Sequence, residues 1–216
     1  MKNKKFKVNK EHFRVAIFGS ARIDKNDENY KLIYDLARRI GAKNMDIVTG
    51  GGPGTMEAAN SGHKEGSKGL GYSWGLLIKL PREQKSNKHL DISKEFHIFS
   101  NRLDNFMALS DVLVVAPGGI GTMLELFYAW QLIQVKHICN IPIILLGEQW
   151  KHLIEWMNKW MLKNKYINKD DLNYVFLARN SDEAMEIINK THDDYLNSSK
   201  KVCINMKKYG VLKKFE

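Results

Sequence analysis

The spacing of apolar residues along this chain changes period many times, and each change marks a border between elements. Residues 112–116 form an unbroken apolar, β-branched run, the pattern of a strand covered on both faces. Pro117-Gly118-Gly119-Ile120-Gly121 breaks regular structure. From Thr122 the apolar residues Met123, Leu126, Phe127 and Trp130 follow helical spacing. The same alternation recurs on both sides of this unit. Residues 15–18 read as a strand ending at Gly19-Ser20-Ala21, and 30–40 as a helix with Gly41 as its stop. Residues 46–49 are the next strand, which runs into Gly50-Gly51-Gly52-Pro53-Gly54. A helix at 58–65 follows, with small residues that would let it lie close on the sheet. Further on, the pattern predicts a strand at 73–80, a polar loop at 85–93, a strand at 95–99 and a helix at 100–110. Strands at 141–146 and 174–177, a helix at 150–162 and a last helix capped by Ser181 complete the chain. Strands that alternate with helices throughout predict an α/β sandwich with a mostly parallel central sheet.

The chain partly repeats itself. GGPGTM at 51–56 and GGIGTM at 118–123 differ at one position, and each stands between a predicted strand and a predicted helix. Two such loops at strand C-terminal ends suggest two walls of one crevice, the place where open α/β sheets bind ligands.

Composition narrows the class. With 216 residues, 44% of them hydrophobic and 27% charged, the chain is expected to be one nucleotide-binding domain over 1–216, folded from about 12 to 192. The formal charge of +10 is concentrated at the ends, where Lys2, Lys4, Lys5, Lys7 and Lys10 face Lys200, Lys201, Lys207, Lys208, Lys213 and Lys214. These runs are read as solvated basic tails. No aromatic interleaving or recognition motif accompanies them, so nucleic acid is not expected as a partner. Cys139 and Cys203 are far apart and the seven histidines are scattered, so no metal is expected. No apolar run is long enough for a signal-peptide core or a membrane span, which makes the cytoplasm the expected compartment.

Exposed N–H groups at a helix start, in the field of the helix dipole, make a seat for an anion, and a phosphate is the natural occupant. A tight turn without a ligand is the plainer alternative. The dinucleotide fingerprint fails, because its third glycine position is Glu57 in one loop and Leu124 in the other. A P-loop also fails, because no Lys follows either loop. Glu125 stands one helical turn inside the second loop. A carboxylate there could stabilise an oxocarbenium-like sugar during cleavage of an N-glycosidic bond, or could merely favour the helix dipole.

PGGIGTMLE at 117–125 resembles the PGGxGTxxE signature of the LOG family, Rossmann-like proteins long labelled lysine decarboxylases that act as nucleoside 5′-monophosphate phosphoribohydrolases. TGGGPGTMEAAN, LPREQ, SNRLDNFMALSD and LELFYAWQLIQ fit the same family in order, so the resemblance covers residues 18–188, in the form closer to the broader bacterial branch. The resemblance implies a Rossmann-like three-layer sandwich and hydrolysis of AMP or a related purine nucleotide to free base and ribose 5-phosphate, without a cofactor. It puts the catalytic pair on Arg102 and Glu125 and the 5′-phosphate on Gly118, Gly119, Gly121 and Thr122. It puts a substrate contact on Glu83, and Gly19, Ser20, Gly51 and Gly52 along the crevice. It also implies a homodimer or higher homo-oligomer, with Phe127, Trp130 and Met107 read as core or dimer surface. Taken singly, Arg102 and Glu83 are more often plain surface charges. Two positions depart from the family pattern: Leu103 stands where a Lys is usual, and Gln131 where a Thr is. A non-catalytic nucleotide or molybdenum-cofactor-type carrier on the same fold is therefore the alternative. Amino-acid decarboxylation is a further rival, disfavoured because no Lys adjoins either glycine loop in the sequence.

Overall fold

Seven strands form one sheet in which every pairing is parallel, so the expected mostly parallel sheet is wholly parallel among the described residues. The structure is a computed structural model, and it describes residues 12–80 and 85–197. The strands are β1 (Arg14–Phe18), β2 (Asp46–Thr49), β3 (Ser73–Ile78), β4 (Ile92–Phe96), β5 (Val112–Val115), β6 (Ile143–Leu146) and β7 (Val175–Ala178). Their order across the sheet is β4-β3-β2-β1-β5-β6-β7. The chain winds outward from β1 in one direction, then returns and winds outward from β5 in the other. The boundary between β1 and β5 is the switch point, outside whose strand ends such sheets open a crevice.

The helices are α1 (Glu28–Ala42), α2 (Thr55–Ser67), α3 (Phe99–Leu109), α4 (Ile120–Gln134), α5 (Gln149–Trp156) and α6 (Ser181–Asn197). Strand residues alternate between two cores, as a period of two requires. Val15 and Ile17 of β1, with Val112 and Val114 of β5, join Ile33 and Leu36 of α1 and Ile187 and Ile188 of α6. Ala16 and Phe18, with Leu113 and Val115, face the opposite way to Phe106 of α3, Leu126 of α4 and Ile154 of α5. This gives three layers. Full burial of each such aliphatic side chain is worth roughly 1.5–3 kcal/mol.

Several local expectations are corrected. The strand expected at 95–99 lies at Ile92–Phe96. It is an edge strand whose outward positions are polar, so its sequence looked like loop. Gly41 does not stop the first helix but sits inside it, buried, and the chain turns at Asn44, whose φ is 59°. A Cβ on Gly41 would lie 2.5 Å from His63 O, one on Gly62 2.2 Å from Tyr34 O, and one on Gly66 1.9 Å from Arg38 O. The small residues of α2 thus serve contact with α1 as well as with the sheet. The helix expected at 150–162 is α-helical only to Trp156 and continues as a π-helical segment, Met157–Leu162. The last helix is capped by Asn180, whose Oδ1 accepts from Glu183 N–H at 2.9 Å, while the Ser181 hydroxyl donates to Asp35. Met107 and Trp130 are core residues, whereas Phe127 is partly exposed and stacks on Trp130.

Candidate active site

Three loops leave the carboxyl ends of β1, β2 and β5 and are tied to one another through the backbone. Ser20 N–H donates to Pro117 O at 3.0 Å, and Thr55 N–H donates to Ser20 O at 2.9 Å. Glycine is needed at Gly19, where a Cβ would fall 2.6 Å from the Thr55 side chain. It is needed again at Gly54, which holds a φ of 66° against the backbone of Ser20 and Ala21. The loops enclose a crevice of about 1210 Å³.

The start of α4 forms one wall. Its cap, Gly119, is extended, and no side chain closes this end of the helix. The first N–H groups of a helix lack partners within it, so those of residues 120–122 are available to an anion. Gly119, Ile120, Gly121 and Thr122 all line the crevice. Open space surrounds the Cβ positions of Gly119 and Gly121. Gly118 is not a lining residue; it gives way to the Thr122 side chain, which would meet a Cβ there at 2.1 Å.

One turn into α4, Glu125 forms an ion pair with Arg102 of α3. Arg102 projects from the first turn of α3, and its Nη1 lies 3.2 Å from Glu125 Oε1. The guanidinium is fixed from behind, because Nε donates to Leu76 O at 2.6 Å and the Phe106 ring lies beneath it at 5.0 Å. Arg102 is only 8% exposed, not the surface charge that base rates would give. Burial pushes the Glu125 carboxyl up to about 7, and the Arg102 charge and hydrogen bond only partly oppose that shift. Burial lowers Arg102 from its usual value, against the pull of the carboxylate.

Gly19, Ser20 and Gly52 line the crevice, while Gly51 faces away from it toward Leu77 and Leu90. Glu83 lies outside the described residues. The crevice also gathers residues that the sequence reading passed over: Arg22, Met56, Lys79, Lys85, Glu95 and Phe99. Gly50 belongs with them. A Cβ there would lie 2.4 Å from Arg102 Nη2, so its absence gives the guanidinium its place. A third glycine next to two suspected ones was the available signal. Lys79 and Lys85 arrive from the β3 side and are adjacent to no glycine loop in sequence. Leu103, where the resemblance would have a Lys, is a core residue at 4% exposure. Among the described residues no cluster of His, Cys, Asp or Glu could hold a metal ion, and no helix is long and apolar enough to cross a membrane.

The sequence model of the family described as "possible lysine decarboxylase" matches residues 56–188. The pyrimidine/purine nucleotide 5′-monophosphate nucleosidase of Escherichia coli K12 is 27% identical over 143 residues. That alignment covers 62% of this chain but 30% of the nucleosidase, so the chain spans about a third of that relative's length. Among solved structures, the molybdenum cofactor binding protein of Rippkaea orientalis superposes with a TM-score of 0.62 at 22% identity, over 85% of this chain and 98% of that one. The molybdenum cofactor carrier protein of Chlamydomonas reinhardtii superposes with a TM-score of 0.61 at 21% identity, over 84% and 99%. At those identities the structural likeness is one of fold.

Proposed function

This chain belongs to the family described as possible lysine decarboxylase, and on that premise we propose that it is a nucleoside 5′-monophosphate phosphoribohydrolase. The observation that carries this reading is the largely buried Arg102–Glu125 pair set one helical turn from an uncapped, glycine-lined helix start. Such a start suits a phosphate, and a carboxylate one turn further in would face the sugar that the phosphate carries. In this reading the amides of residues 120–122 and the Thr122 hydroxyl hold the 5′-phosphate. Ionised Glu125 stabilises the positive charge that develops on the ribose as the base departs, and orients the attacking water. Arg102 aligns that carboxylate and contacts the substrate. AMP is the first substrate to try, and the products are adenine and ribose 5-phosphate. No cofactor enters the reaction. The reading places the protein in the cytoplasm.

Chromatography of the products tests this. AMP should release adenine, and adenosine, which lacks the phosphate, should react at least about a hundredfold more slowly, given the weight of an anchoring group in transition-state binding. Equal rates for the two would remove the phosphate seat from the mechanism.

A second reading, a non-catalytic nucleotide or molybdenum-cofactor carrier, draws on Leu103. Its burial leaves the crevice without the cation that the family pattern puts beside Arg102. Tight nucleotide binding with no base release over hours would favour the carrier.

A further inference from the structure

Trp156, Trp160 and Tyr166 are 52%, 52% and 75% exposed. Tryptophan is highly buried on average, so two half-exposed indoles this close together call for a physical reason. Trp156 ends α5, and Trp160 lies in the π-helical segment that continues it. Four residues apart, they share the outer face of the helix, while Ile154 and Met157 turn into the core. Tyr166 follows the end of this segment, where Lys165 takes a φ of 59° and Tyr166 N–H donates back to Met161 O at 2.8 Å. Lysines surround the rings. Lys159, Lys163, Lys165 and Lys169 are all exposed, and residues 156–169 contain no Asp or Glu. None of the four pairs with a carboxylate among the described residues. The nearest acid before them in the chain, Glu155, is engaged by His152 at 3.2 Å. Lysine near the end of a helix offsets its dipole, but that gives no account of the aromatic rings.

We propose that this face docks on the surface of an anionic phospholipid bilayer, with the two indoles and Tyr166 in the interfacial zone and the four lysines against headgroup phosphates. Tryptophan and tyrosine suit that depth because one end of the ring is apolar and the other is polar. Lysine stems cover apolar surface while their charged ends stay among the headgroups. Single-stranded nucleic acid also takes basic and aromatic side chains, but two observations favour the bilayer. The indoles stand on the outside of a helix, a convex ridge with no groove to track a strand. Lys159 Nζ lies over the Trp160 ring, 5.6 Å from its centroid, on a face that a stacked base would need. The formal charge of +10 draws the chain toward an anionic surface. None of these seven residues lines the crevice, so docking leaves the crevice free. The inference stands independently of the phosphoribohydrolase reading.

Sedimentation of the full chain with lipid vesicles tests this. The chain should pellet with vesicles of equal parts phosphatidylcholine and phosphatidylglycerol, stay in solution with phosphatidylcholine alone, and come off the anionic vesicles as salt is raised. Its tryptophan emission should shift to the blue on binding, a change that attraction through net charge alone would not produce. Two double variants address the rings and the charges in turn: Trp156→Ala with Trp160→Ala, and Lys159→Glu with Lys163→Glu. Each should lower affinity for the anionic vesicles at least about tenfold. Thermal melts report whether each is folded, and the lysine pair serves if the tryptophan pair is not. Undiminished vesicle binding by either folded variant would assign the attraction to charge elsewhere on the chain and overturn the inference. Equal binding to neutral vesicles, no binding to either kind, or binding to oligo(dT) in place of vesicles overturns it as well.

Discussion

At the scale of single residues, the site turns on a carboxyl that burial holds far from its ordinary range. Glu125 titrates near 7 because desolvation outweighs the nearby guanidinium. If the ionised form supports the sugar cation, kcat/KM for AMP rises with pH and levels off above about 7. A pH–rate profile checks this, and a profile highest at pH 5 would assign Glu125 the role of acid instead. The raised value also affects stability. The folded chain holds this proton up to about pH 7, whereas the unfolded chain releases it near the ordinary carboxyl value of 4.5. Glu125 therefore favours folding below that ordinary value, and its contribution declines as pH rises from there to about 7. Arg102 and Glu125 were legible in the sequence because each stands at a fixed place in a short motif. Lys79, Lys85, Arg22 and Phe99 were not, because only the winding of the sheet brings them to the crevice.

At the scale of elements, strands and helices read well wherever burial on both faces made the hydrophobic signal continuous. Residues 46–49 were read to their ends. The reading failed where the signal was mixed. β4 alternates exposed Ser93 and Glu95 with half-buried Ile92 and Lys94, and only Phe96 is buried, so polar composition masked its start. Gly41 looked like a helix stop because glycine usually is one, yet the demand on it comes from α2, an element the local pattern does not see. The α1–α2 contact gives a direct prediction. Gly66→Ala would drive a Cβ to 1.9 Å from Arg38 O, a backbone atom that cannot swing aside. Overpacking of this kind costs about 1–3 kcal/mol, read as a lower denaturation midpoint. Gly69→Ala, at a position with nothing within 4 Å, is the comparison, although its φ of +87° carries a strain of its own. Equal stability of Gly66→Ala and the parent chain would mean that the two helices do not pack as described.

At the scale of the whole molecule, the sheet's reversal between β1 and β5 places three glycine-bearing loops side by side. The near-duplicate strings at 51–56 and 118–123 announced two walls of that crevice. The first string is less of a wall than it looked, because Gly51 faces Leu77 and Leu90 while Gly50 and Gly52 line the space. We propose that copies of the chain associate through α4, where Ile120 (87% exposed), Leu124 and Phe127 form an exposed apolar stripe at helical spacing. Light scattering should give a mass above that of one chain, with Leu124→Glu lowering it; a single-chain mass for the parent contradicts the association.

The account is tested most directly by incubating AMP with the wild-type chain, Glu125→Ala and Arg102→Ala, and identifying the products by chromatography. The wild type should yield adenine and ribose 5-phosphate in equal amounts, while both folded variants yield none. Undiminished adenine release by Glu125→Ala would contradict the role given to the buried pair, and intact AMP in every sample would contradict the hydrolase itself.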